Sequence, residues 1–275
     1  MTARNRSPYN EAVQTPRSGR TFPYVVVLLA LACGGGSATA PIAPSSTSSA
    51  AAARVLVVTH TAGFRHDSIP AAEQAIQQLG RESGLFDVAF CRTADDVRRM
   101  LTPAALADTA AVVFASTTGN IGIPDLAAFL GWIAGGRGFV GVHAASDTYH
   151  DEPAFLQMLG NEFDRHGKQT EIEAVVEAPS HPAVSHLGQR YRVFDEIYRF
   201  KQPNRERVTP LLTMDRYPDD GLSQAGEPGD LPLAWTKSHG SGRVFYTALG
   251  HRTELWSDAR FRQHVLGGIQ SVLRR

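Results

Sequence analysis

Two cysteines in 275 residues leave little room for thiol chemistry. Cys33 and Cys91 make no CxxC pair, so the paired thiolate ligands of a structural zinc site are missing. There is no HExxH motif either, and a metal is therefore not signalled by any short pattern. An excess of one charge is also absent. The 27 Lys and Arg balance 27 Asp and Glu, which gives no electrostatic basis for binding nucleic acid or an anionic membrane surface.

Long hydrophobic runs are lacking as well. The stretch TFPYVVVLLALAC at 21–33 falls short of the roughly 20 apolar residues of a membrane helix. It suits the apolar part of a secretory signal, preceded by Arg4, Arg6, Arg17 and Arg20. Its end, Ala30-Leu31-Ala32-Cys33, has the form of a bacterial lipobox, with cleavage near Ala38 or Ala40 as the alternative. Residues 1–33 are thus expected to be a signal or lipoprotein segment with Cys33 as the lipidation position. The protein would then be exported, either anchored in the membrane through that lipid alone or free in the periplasm or outside the cell. Residues 34–53, GGGSATAPIAPSSTSSAAAA, are nearly uncharged and of low complexity. They bury too little apolar surface to offset the entropy of ordering and read as a tether.

From Arg54 to Arg275 the chain has the pattern of one folded domain. RVLVVTH (54–60), FDVAFC (86–91), AAVVFAST (110–117) and GFVGVHAA (138–145) are apolar runs of the kind found in strands covered on both faces. Cys91 ends one of them and reads as a buried strand residue. Between them stand helical patterns, the first with Ile69, Ala72, Ile76 and Leu79 on one face, Asp67 or Ser68 as N-cap, Pro70 in the first turn and Gly84 as its stop. Strands alternating with helices predict a doubly wound α/β sheet. The C-terminal half differs: TEIEAVVE, RYRVFDEIYRF and RVTPLLTMD read as strands without helices between them. LPLAWTKSHGSGRVFYTALGH reads as a hairpin around His239-Gly240-Ser241-Gly242, and ARFRQHVLGGIQSVLRR as a closing helix. The expected sheet is mostly parallel, with antiparallel additions late in the chain.

Ligands bind beyond the carboxyl ends of the strands in such sheets, so the residues where each apolar run stops are candidates. The first run ends in Thr59-His60 and leads into His66; the third leads into Thr117 and Asn120. The fourth ends in GVHAASD, a Gly-flanked turn that presents His143 where α/β hydrolases and amidotransferases present a Ser or Cys nucleophile. Asp147 follows it, able to orient His143 or to cap the next helix. The late hairpin leads into Gly250-His251-Arg252-Thr253-Glu254. His166 in FDRHGKQ is within reach of a ligand. Of Asp195-Glu196, one carboxylate is expected to face the cleft, because neighbours on a strand point to opposite sides; Glu196 is taken as the candidate. His143 and His251, with Asp147 and Glu254, form the expected catalytic set; His60, His66, Thr117, Asn120, His166 and Glu196 are expected to contact substrate. Histidines and carboxylates serve general acid–base catalysis near neutral pH. Alternatively, His60, His143 and His251 with an acidic partner could hold a divalent metal.

THTAGFRHDSI, FVGVHAASD, FDEIYRF, LPLAWTKSHGSGRVFYTALGHRTELWSD and QHVLGGIQ together resemble the trehalose-utilisation (ThuA-like) domain, in that family's order over residues 54–275. The resemblance implies a class I glutamine amidotransferase-like fold, a flavodoxin-like three-layer sandwich. Those amidotransferases place a Cys at the elbow and a His-x-Glu pair after a later strand. Here His143 stands at the elbow, and His251 with Glu254 resembles the later pair at altered spacing. Without the thiol, glutamine hydrolysis through a thioester is not expected. The resemblance implies carbohydrate metabolism, with a small sugar such as trehalose, another glucoside or a 3-keto derivative as partner. An enzyme, hydrolase or lyase, is the first reading; the alternative is a non-catalytic sugar-binding or scaffolding lipoprotein.

Overall fold

The computed structural model describes residues 51–201, 203 and 205–273. The expected leader with Cys33, and most of the expected tether, lie outside them. At the tether's end the structure differs from expectation, because Ala53 already belongs to the first strand.

Four βα units open the fold. Strands β1 (Ala53–Val58), β2 (Phe86–Cys91), β3 (Ala111–Ala115) and β4 (Gly138–Val142) alternate with helices α1 (Ile69–Ser83), α2 (Ala94–Met100) and α3 (Leu126–Ala134). After α4 (Pro153–Leu159) come β5 (Phe163–His166), β6 (Thr170–Val176), β7 (Arg190–Asp195), β8 (Tyr198–Phe200), β9 (Thr209–Arg216), β10 (Pro228–His239) and β11 (Gly242–Thr247), and α5 (Ala259–Leu273) closes the chain. The main sheet runs β2-β1-β3-β4-β11-β10-β9-β6-β7. Its first five strands are mutually parallel, in the 2-1-3-4-5 order of a flavodoxin-like sheet. The remaining four pair antiparallel, and β10 and β11 form the hairpin expected around residues 239–242.

Side-chain alternation sorts the apolar residues into two layers. Val55, Val57 and Val113 join Ala72, Ile76 and Leu79 of α1 and Val265 and Ile269 of α5. Leu56, Val58, Val112 and Phe114 join Val97 of α2, Phe129 and Ile133 of α3, and Phe155 of α4 on the opposite face. The apolar runs of β1, β3 and β4 therefore arise because both faces of the central strands are covered. Helix α1 stops at Gly84, whose φ of 65° is left-handed, a region that glycine enters without a Cβ penalty. Ser68 occupies the N-cap position without capping; its hydroxyl donates instead to the carbonyl of Gly250, 3.1 Å away.

Two local readings differ from the sequence pattern. The fourth apolar run ends as a strand at Val142, and residues 143–147 form a single 3-10 turn. RYRVFDEIYRF is not one strand but two. β7 ends at Asp195, and β8 leaves the main sheet to pair with β5 in a separate two-stranded ribbon. Of the two carboxylates at that break, Glu196 alone lines the pocket, as expected, and Asp195 turns to the loop after β11.

Candidate functional site

The turn after β4 is held in a strained conformation. His143 has φ 51°, in the left-handed region, which costs a non-glycine residue roughly 1–3 kcal/mol and persists only where surroundings impose it. Tyr246 on β11 imposes it here: its hydroxyl donates to the His143 carbonyl at 2.7 Å and pairs with the Ser146 hydroxyl at 2.8 Å. Gly141 lets Tyr246 come this close, since a Cβ there would lie 2.9 Å from the Tyr246 ring.

The orientation of the imidazole follows from its partners. His143 Nδ1 lies 2.8 Å from the carbonyl oxygen of Ala248. A carbonyl only accepts, so Nδ1 carries the proton. Nε2 then faces the site with its lone pair, 3.2 Å from His251 Nδ1 and 3.6 Å from Glu196 Oε1. The His143 side chain is wholly buried, with the Tyr198 ring packed on it at a centroid distance of 4.2 Å.

His251 is positioned by the other carboxylate of the FDE stretch. Asp195, fully buried, accepts backbone N–H groups of Gly250 at 2.7 Å, His251 at 3.3 Å and Arg252 at 3.1 Å. Burial raises its pKa, against the opposing effects of His143 and of the N–H groups of Gly250, Glu196 and Arg252. Asp195 thus acts as a clamp on the loop after β11.

Glu196 is the hub. Oε1 is 3.2 Å from His251 Nδ1, and Oε2 is 3.0 Å from His166 Nδ1. Burial opposes its ionisation, but the adjoining His143 and His251 outweigh burial and hold the carboxyl well below the usual glutamate range. His251 shifts the other way: burial lowers its pKa, and the Glu196 carboxylate more than compensates, so the net shift is upward. His66, from the loop before α1, completes the cluster edge-on to both other rings, with centroids 4.8 Å from His143 and 5.3 Å from His251. Burial, then the neighbouring His143 and His251, push its pKa down to about 3, so it is a neutral imidazole near pH 7. One donor atom each from His66, His143, Glu196 and His251 lies within 4.8 Å of the others. A pocket of about 270 Å³ opens onto this group, walled by Phe64, Phe163 and Tyr198.

Several sequence candidates lie elsewhere. His60 is half-buried just past β1, and its pKa is lowered by burial and by Arg65 and Arg98. It is absent from the cluster, where His66 takes the place expected of it. Asp147 does not orient His143; its carboxylate binds His150 Nε2 at 2.6 Å, although the residue still lines the pocket. Glu254, 73% exposed, pairs with Arg252 at 3.1 Å. Thr117 is buried against Thr148, hydroxyl to hydroxyl at 2.8 Å. Asn120 is exposed and accepts the Gly122 N–H at 3.0 Å within its own turn. Cys91 is buried with its thiol pushed up to about 12, which leaves it inert as a nucleophile. Sequence reasoning misses Asp195, set aside by strand alternation, Tyr246, which sits inside an apolar strand, and the pocket walls Phe64, Phe163 and Tyr198, which carry no signal beyond being aromatic.

A family model described as ThuA, trehalose utilisation, matches residues 54–271. Among solved structures, a ThuA-like protein from Parabacteroides merdae superposes with TM-score 0.65 at 21% identity, over 81% of this chain and 90% of that one. One from Bacteroides uniformis gives TM-score 0.65 at 20% identity, over 84% and 95% respectively. A cytoplasmic protein from Salmonella typhimurium gives TM-score 0.55 at 15% identity, over 80% and 99%. At these identities the likeness is one of fold. No curated protein matches the chain significantly.

Proposed function

Because the chain belongs to the trehalose-utilisation (ThuA-like) family, we propose that it is an enzyme of carbohydrate metabolism converting a glycoside or 3-keto-glycoside at the His66–His143–Glu196–His251 cluster. The observation that carries this reading is the convergence of two imidazoles from separate strand ends on one carboxylate at a pocket wall. Structural histidines do not need such a meeting point, whereas proton transfer at a bound substrate does. In a 3-keto-glycoside the ketone acidifies the neighbouring C–H. The cluster would take that proton and return one to the departing glycosidic oxygen. The C–H and C–O bonds break, a carbon–carbon double bond forms, and the alcohol leaves. The aromatic walls Phe64, Phe163 and Tyr198 offer faces for sugar C–H groups.

The leader and Cys33 support an exported protein tethered through lipid. Radiolabelled palmitate incorporation that disappears in C33A is the corresponding check.

The purified domain incubated with 3-keto-trehalose is expected to release sugar. His143→Ala and Glu196→Gln should each lower the rate by roughly 10²–10⁴-fold. Wild-type rates in both variants would overturn the assignment. Tight sugar binding with no product would favour a binding protein instead.

A further inference from the structure

We infer that His66, His143, His251 and Glu196 together bind one divalent transition-metal ion. The inference deepens the reading above only for its catalytic consequence; the binding itself stands on the geometry of the four side chains.

Distances between donors carry it first. An ion bound tetrahedrally at about 2.0–2.1 Å holds its ligand atoms about 3.3–3.4 Å apart. The measured separations are 3.2 Å for His143 Nε2 to His251 Nδ1, 3.2 Å for His251 Nδ1 to Glu196 Oε1, and 3.6 Å for His143 Nε2 to Glu196 Oε1. The ring positions agree independently. An imidazole bound at that length has its centre about 3.2 Å from the ion, so two such rings stand about 5.2 Å apart. The three ring pairs here are separated by 4.8, 5.3 and 5.2 Å, with interplanar angles of 89°, 87° and 73°. Three near-perpendicular imidazoles around one point match facial ligation better than stacking.

Hydrogen bonding alone satisfies the group poorly. His143 spends its one proton on Ala248, and His66 Nδ1 is buried with no partner among the described residues. Lone pairs therefore crowd a small volume that a cation would fill. The surroundings supply the outer support that metal ligands use: Ala248 fixes the His143 tautomer, and His166 engages the Glu196 oxygen turned away from the cluster. The donor set of three imidazoles and a carboxylate, without sulfur, selects a first-row divalent ion such as Zn²⁺ or Mn²⁺ over soft Cu(I). With such an ion bound, these four side chains no longer move the protons themselves: the ion polarises a substrate oxygen or acidifies a bound water, and His166 is the adjacent group able to move a proton.

Zn²⁺ and Mn²⁺ titrated calorimetrically into metal-stripped protein test this. One equivalent of at least one of the two is expected to bind, raising the melting temperature. His66→Asn and Glu196→Gln should each weaken that affinity by at least tenfold, and His60→Ala should leave it unchanged. Circular dichroism on each variant separates lost binding from lost folding, and His251→Asn stands in for any that fails to fold. Absence of binding by both ions, or equal affinity in the folded cluster variants and wild type, overturns the metal site. A bound ion without turnover of 3-keto-trehalose sinks only the enzymatic reading. Turnover that continues undiminished after chelation, with no ion bound, sinks only the metal site.

Discussion

Asp195 and Glu196 show how two adjacent carboxylates divide the work. Glu196 faces the histidines, whereas Asp195 has no contact with the pocket and instead gathers three consecutive backbone N–H groups of the loop bearing His251. A buried carboxylate accepting several N–H groups fixes backbone more firmly than any side-chain packing available to Gly250. Asp195→Asn removes one accepting oxygen and sets a donor against N–H groups, so the loop should shift by a fraction of an ångström. Misplacement by about 1 Å costs on the order of 10²-fold in turnover, so this smaller shift should cost up to that much. The expected result is a fall in kcat with little change in KM, and a pH profile displaced because His251 no longer sits against Glu196. A rate loss caused only by lower stability would leave the profile where it was, and that outcome would deny Asp195 its positioning role.

At the scale of elements, legibility tracks how each segment is buried. β1, β3 and β4 are covered on both faces, and their apolar runs identify them without help from the rest of the chain. In sequence β7 and β8 read as one strand, because no glycine or proline marks their break. The break at 196–197 goes with the ribbon that β8 makes with β5, a pairing invisible locally. The site divides the same way. Gly-flanked strand ends reveal His143 and His251, but the direction a loop takes decides between His60 and His66. His60 falls beside Arg65 and Arg98, and His66 crosses to the cluster. Asp147 likewise turns towards His150, which joins the turn after β4 to Glu162 just ahead of β5. Burial lowers the His150 pKa, but Glu162 and Asp147 outweigh it and the net shift is upward. A raised folded pKa means this link stabilises fully below about pH 6.5 and fades as pH climbs through the raised value. His150→Gln should therefore lower the melting temperature at pH 6 and make little difference at pH 9. An equal loss at both would show that the pairing does not depend on charge.

For the molecule as a whole, α5 ties the last strand to the first half of the sheet, and its seating depends on having no side chain at two positions. A Cβ on Gly268 would collide with the Phe245 ring, and one on Gly267 with the Pro182 carbonyl. One turn earlier, His264 is fully buried, donating Nδ1–H to the Ala183 carbonyl at 2.8 Å and leaving Nε2 without a partner among the described residues. Burial, more than the neighbouring His186 and His181, pushes its pKa down to about 4. The native state thus favours the neutral ring, while the unfolded chain protonates near pH 6.5. The stabilisation is complete above that value and drains away as pH falls from about 6.5 to 4, by roughly 3 kcal/mol in all. Because α5 packs across β4, β11 and α1, the loss should register as global unfolding and not as fraying of one helix. His264→Gln keeps an N–H donor for Ala183 and cannot titrate. Chemical denaturation at pH 7 and pH 4.5 should show wild type losing over 1 kcal/mol more than the variant between the two conditions. Parallel losses would mean that acid unfolds this protein through other groups.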